Sequence, residues 1–180
     1  MVKMLALLVA LCGIAQADDD GLDDGPPTLL GARLAAGRLP VMHEDLTTFS
    51  LALAIEHPMS ERWHAFGEYE YVWLSHDDSA MQHGNAHRML AGLRATVLQK
   101  RQHRRRSFVD LEAGGGMSIA TDTVLGTRSL PTGFGGVRAG FDFYADDSPS
   151  RVFELEMLLR AVIVPDGSGL MAGLGWQWGN

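Results

Sequence analysis

The stretch RWHAFGEYEYVWLSH, Arg62 to His76, constrains the fold more than any other part of the chain. Its side chains alternate. Trp63, Ala65, Gly67, Tyr69, Tyr71 and Trp73 fall on one face; His64, Phe66, Glu68, Glu70, Val72 and Leu74 fall on the other. A period of two over this length is a β-strand, because successive Cβ atoms point to opposite sides of a pleated chain. Two glutamates lie in the middle of the face opposite the aromatics. A soluble sandwich would bury the aromatic face and leave the acids wet. A barrel in a membrane would turn the aromatics to lipid and the acids to its lumen.

The same period recurs along the chain and predicts eight strands. They cover residues 28–38, 47–57, 62–76, 86–99, 107–120, 132–145, 151–164 and 169–178. Each reaches the roughly 9–11 residues that a tilted strand needs to cross a bilayer. Between them stand turn-like segments such as Pro58-Met59-Ser60-Glu61 and Pro165-Asp166-Gly167-Ser168. If the N-terminus is periplasmic, the connections 39–46, 76–85 and 121–131 are long outer loops, and those at 58–61, 100–106 and 146–150 are short inner turns. The expected fold class is all-β, an eight-stranded antiparallel up-and-down transmembrane β-barrel over residues 28–180.

Charge partition favours a membrane over a soluble barrel. The inward positions carry Glu56, Glu68, Glu70, Asp110, Glu112, Asp142, Glu154 and Glu156 against Arg33, Arg88, Arg94, Arg138 and Arg160. The outward positions from Phe49 to Trp178 carry almost no formal charge in the strand centres. A charge facing lipid at the midplane costs about 2–4 kcal/mol, whereas charges gathered in a lumen can pair. The predicted network is Glu68, Glu70, Arg94, Asp110, Glu112, Arg138, Glu154, Glu156 and Arg160. Arg94 is expected between Glu68/Glu70 and Glu112, and Arg138 between Glu112 and Glu154/Glu156. Such a network reads as structural glue in a lumen filled by side chains, with no wide pore. Tyr71, Trp73 and Phe49 are expected as an outer aromatic belt, and Trp63, Phe143, Phe153, Trp176 and Trp178 as an inner one.

The start of the chain sets the compartment. Lys3, the apolar run Leu5 to Leu11 and Ala15-Gln16-Ala17 form a signal-peptide pattern over residues 1–17. Cleavage there removes Cys12, the only cysteine, and with it any disulfide or thiol chemistry. A lipoprotein reading through Cys12 needs a small residue where Leu11 stands. The acidic stretch DDDGLDDGPP, residues 18–27, reads as a flexible leader. Without Lys3 the formal charge is −8, from 14 bases against 22 acids, which argues against a nucleic-acid partner.

On this pattern the chain resembles the small eight-stranded outer-membrane barrels, the family of outer-membrane protein A and its short relatives. The resemblance is one of pattern over residues 28–180. It implies location in the outer membrane of a Gram-negative envelope and a porin-like fold without a porin's channel. It also implies lipids, lipopolysaccharide and the barrel assembly machinery as partners, with no cofactor. Barrels of this family end in an aromatic residue; here Trp178 stands two residues before the end. A structural or surface-interaction role follows.

Two segments invite other readings. His76, Asp77, Asp78 and Ser79, with His83 and His87, could ligate a metal, although loops of this composition are ordinarily solvated and no metal is assigned. The triple His43, Asp78 and Ser79 resembles the outer-face His, Asp and Ser of lipid A palmitoyltransferases, which gives the alternative of an outer-membrane enzyme modifying lipid A or phospholipid. The basic run Lys100, Arg101, His103, Arg104, Arg105 and Arg106 could hold anionic headgroups or cell-wall polymer, or be a solvated turn. A soluble periplasmic ligand-binding barrel is the remaining alternative.

Overall fold

The computed structural model describes residues 28–41, 44–75, 83–122, 126–144 and 151–179. They form β1 (Leu29–Val41), β2 (Glu44–Pro58), β3 (Trp63–Ser75), β4 (His83–Gln102), β5 (Arg105–Asp122), β6 (Gly126–Tyr144), β7 (Arg151–Val164) and β8 (Gly167–Gly179). Each strand pairs antiparallel with its sequence neighbour, and β1 closes the sheet against β8. The expected fold class is the one observed, and closure gives every strand a paired neighbour on both sides, so the sheet has no edge strand.

Both β1 and β8 have their outer termini at one end of the barrel, called here the terminal end, together with the connections at 59–62, 103–104 and 145–150. The far end carries the connections at 42–43, 76–82, 123–125 and 165–166. The predicted contrast between long loops and short turns is thereby corrected. Val41 pairs with Glu44, Asp122 pairs with Gly126, and the segment predicted as a loop from Thr121 to Pro131 is mostly the start of β6. Polar residues that read as loop extend the hairpins instead, because a ladder bond satisfies their backbone whatever their side chains. The basic run likewise continues the ladder to Gln102↔Arg105, and only residues 103–104 turn, with His103 in the left-handed region at φ 50°.

Register fixes the tilt. Following paired residues from Trp63 leads through Ala95, Leu111, Val137, Leu159, Ala172, Ala36 and Phe49 to Trp73, back on β3 but ten residues nearer the far end. A ten-residue climb at about 3.3 Å per residue, over eight strand spacings of about 4.8 Å, gives a tilt of about 40°. At that tilt Trp63 and Trp73 lie about 25 Å apart along the axis, the height of the apolar band of transmembrane barrels.

The burial pattern alternates with the sequence. On β3 the inward His64, Phe66, Glu68, Glu70, Val72 and Leu74 are buried, while Trp63 and Trp73 are exposed. Leu53, Met157 and Leu174 are apolar side chains exposed by 52%, 63% and 61% on the outside. Among the described residues, the outward positions between the aromatic belts carry no Asp, Glu, Lys or Arg; Arg38 stands at the level of the far belt. One irregularity interrupts β4. A bulge between Thr96 and Leu98 turns both Val97 and Leu98 outward, exposed by 49% and 66%.

Candidate functional site

The candidate site is the barrel interior with its two rims. Glycine pairs open the space it occupies. Gly92 faces Gly114 across β4 and β5. A Cβ on Gly114 would lie 2.6 Å from the Phe134 ring, and one on Gly92 would lie 3.0 Å from Phe134 and 3.1 Å from Phe66. The phenylalanines take that room, 5.8 Å apart with Leu90 beside them. They support the arginines in turn. Arg94 lies over Phe66 at 4.1 Å, Arg160 over Phe134 at 4.6 Å, and Arg138 over Phe108 at 4.8 Å. A ring face under a desolvated guanidinium supplies the attraction that water would otherwise give.

Each of these arginines joins several strands. Arg138 on β6 reaches Asp110 on β5 at 2.6 Å and Glu154 and Glu156 on β7 at 2.6 and 2.5 Å. Arg160 on β7 crosses the lumen to Glu68 on β3 at 2.6 Å and meets Glu112 on β5 at 2.7 Å. Arg94 pairs with Glu112 at 3.1 Å and with Glu56. Arg33 bridges Glu68 and Glu156 from opposite walls. Nearer the far end, Arg88 meets Glu70 at 3.0 Å, and its guanidinium donates weakly to the Met171 sulfur at 3.6 and 3.7 Å. All these side chains are buried.

The structure joins eight of the nine residues of the predicted network through shared ion pairs, while Glu70 pairs apart from them with Arg88, and two of the arginines have partners other than those expected. Arg94 binds Glu56 and Glu112, not Glu68 or Glu70, and Arg138 binds Asp110 in place of Glu112. The cause is register. Arg94 stands opposite Glu112 and Arg138 opposite Asp110, whereas Glu68 and Glu70 stand opposite Leu90 and Arg88, four and six residues along β4 from Arg94. An arginine is also long enough to skip a strand.

Four members of the site are not counted by the sequence reading among the inward charges or the predicted network. His64 lies 2.8 Å from Glu56, and Gln177 donates to the same carboxylate at 3.3 Å. Arg106 turns inward from the basic run to Asp142 at 2.5 Å, and Phe108 lies beneath Arg138. Strand parity is the available signal for His64, Gln177 and Phe108. For Arg106 the same parity holds along β5, and only the expectation of a turn over residues 100–106 hides it.

Toward the far end the interior changes character. Leu39, Leu46, Val72, Leu74, Ala86, Ala120, Val162 and Met171 pack into one buried apolar cluster across the lumen. This cluster lies above the charged layers.

The outward aromatics gather at two levels. At the far belt Phe49 lies 5.4 Å from Trp73, and Tyr71 meets Trp73 edge-on at 4.6 Å. His87 stands on this outer face, edge-on to Tyr71 at 5.0 Å, with its Nδ1 hydrogen-bonded to the Tyr69 hydroxyl at 2.7 Å. At the terminal belt Phe143 lies 6.2 Å from Phe153, which pairs with Trp178; Trp176 is two residues nearer the far end.

The three residues of the acyl-transfer alternative, His43, Asp78 and Ser79, lie outside the described residues. So do His76 and Asp77, and the segments 1–17 and 18–27. Among the described residues no group of His, Cys, Asp and Glu is arranged to hold a metal ion.

No family model matches the chain, and no curated protein matches it in sequence. Solved structures match it in shape. Neisserial surface protein A superposes with a TM-score of 0.57, covering 88% of this chain and 100% of that one at 9% identity. Ail, the attachment invasion locus protein of Yersinia pestis, gives 0.48 over 86% of this chain and 99% of its own at 13% identity. The N-terminal β-barrel domain of Pseudomonas aeruginosa OprF gives 0.47 over 86% and 98% at 14% identity. The likeness to the neisserial protein is one of fold: the chain has the architecture of the small eight-stranded outer-membrane β-barrels.

Proposed function

We propose that this chain is a closed barrel of the Gram-negative outer membrane with a structural or surface-interaction role and no wide pore. The observation that carries this is the outer surface. Between Trp63 and Trp73 it is apolar, uncharged and edged by aromatics, while the ionised side chains of the strand centres point inward. In water that surface would be a very large apolar patch; in a bilayer it is matched to its solvent.

In this reading residues 1–17 direct export and 18–27 are a leader in the periplasm. The terminal end faces the periplasm and the far end the surface. The paired charges hold opposite walls together, and the apolar cluster closes the lumen above them. Lipids and lipopolysaccharide surround the barrel, and the assembly machinery inserts it. Density separation of membranes tests the location: the protein should travel with the lipopolysaccharide-rich fraction. Recovery of mature protein in the osmotic-shock fluid would replace this reading with a soluble periplasmic barrel. Masses of lipid A from cells with and without the protein test the enzymatic alternative, for which an acyl change lost in Ser79→Ala would be required.

A further inference from the structure

We infer that the outer face of the β4–β5 hairpin is a binding site for the headgroup of an anionic glycerophospholipid in the leaflet at the terminal end. The inference rests on the barrel spanning a membrane as proposed above. From Gln99 to Phe108 the sequence holds five Lys or Arg residues and no acid. The hairpin is a paired ladder to its last residue before the turn, so four of these cations, all but Arg104 in the turn, are fixed in direction by the sheet.

Direction separates them. Arg106 points inward and is occupied by Asp142 and Gln99. Arg101 shares that parity and stacks on Tyr144 at 4.6 Å. Lys100 and Arg105 share the outward parity, facing the surface that carries Leu98, Phe141 and Phe143. Arg105 lies 3.6 Å over the centre of the Phe141 ring. Among the described residues no carboxylate pairs with Lys100 or Arg105.

Height is set by the ladder. Arg105 pairs with Phe143, Phe143 with Phe153, and Phe153 with Trp178. This row climbs in the same sense as the circuit from Trp63 to Trp73, so Arg105 lies beneath three belt aromatics in succession. Aromatic belts mark the junction of hydrocarbon and headgroup. The backbone of Arg105 is therefore just below the belt, at headgroup depth, with its guanidinium reaching back over the Phe141 ring at the belt itself and Lys100 beside it on β4. The exposed Val97 and Leu98, which the bulge turns outward, form an apolar wall above for acyl chains. A cation pair over an apolar wall fits a lipid with net negative charge better than a zwitterionic one, whose own ammonium competes for the phosphate.

The test uses the full barrel chain refolded in detergent and transferred to bilayers containing phosphatidylcholine and phosphatidylglycerol in equal amounts. Lipids that remain bound on extraction are then weighed by native mass spectrometry. Wild type should retain the anionic lipid over the zwitterionic one by about fivefold or more, since each basic residue near a charged surface contributes about that factor and two are present. Lys100→Gln/Arg105→Gln should bring the ratio to about one, while Arg38→Gln at the opposite belt should leave it unchanged. Raising the salt should remove the preference of the wild type without any substitution. An even ratio in wild type, or a preference that persists in the double variant, would overturn the site. A loss equal in Arg38→Gln would overturn its location. Failure to enter bilayers at all would count against the spanning barrel instead.

Discussion

Gly92 and Gly114 face each other across β4 and β5, and the volume their missing side chains leave is filled by the rings of Phe66 and Phe134. The two rings then carry Arg94 and Arg160, which hold Glu56, Glu68 and Glu112. Small residues on the wall thus determine where the charges sit.

Gly114→Val would drive methyls into Phe134 and the facing strand. Overpacking of this kind costs about 1–3 kcal/mol. Urea unfolding of the refolded protein followed by tryptophan fluorescence should show that loss. Gly133→Ala, whose Cβ would have its nearest neighbours at 4.0 Å, should leave the midpoint in place.

Arg138 is the cation shared by Asp110, Glu154 and Glu156. Arg138→Met would leave three buried carboxylates without it and should cost about 3–5 kcal/mol. Arg88 and Glu70 form a simpler pair beside Met171. Arg88→Met alone should destabilise, and the double variant Arg88→Met/Glu70→Leu should recover most of the loss, because a buried pair exchanged for apolar groups is close to neutral. Double-mutant unfolding measurements separate the two cases.

Tyr69→Phe would remove the hydroxyl that meets His87 Nδ1 on the outer face. The expected loss is about 1 kcal/mol. Tyr71→Phe, which keeps the edge-on ring against His87, should cost less in the same unfolding assay.

Leu53 lies on the outward face about midway between the belts, and Trp73 lies at the far belt. In phospholipid vesicles Leu53→Arg should cost about 2–4 kcal/mol and Trp73→Arg, at the interface, about 0–1 kcal/mol for the charge itself. If both substitutions had equal, small effects, the outer face would not be in lipid.

Much of this fold was legible in the sequence because strand parity and charge carry the same information twice. Glu68 and Glu70 on the face opposite Tyr69 and Tyr71 give both the strand and its inside. The bulge beside Val97 was not legible, since an extra residue leaves no chemical mark, and it reset the parity of Lys100 and Arg101 beyond it. Arg94 with Glu112 and Arg138 with Glu154 and Glu156 were legible from adjacent strands; the pairs that cross the lumen were not. Arg160 reaches Glu68 across the lumen, and no reading of adjacent strands supplies a contact that depends on shear and on the length of a side chain. The phenylalanines under the arginines were visible by parity, yet their role depends on the glycines opposite, which only the register brings together.

The central claim is that this chain closes into a barrel that spans a membrane. Gel migration of the protein from the membrane fraction, boiled against unboiled in detergent, tests it most directly. A barrel held by a complete ladder should resist detergent until heated and show two migrations, the unboiled form converting fully to the boiled one. A single migration, with the protein released as a soluble species, would contradict the account.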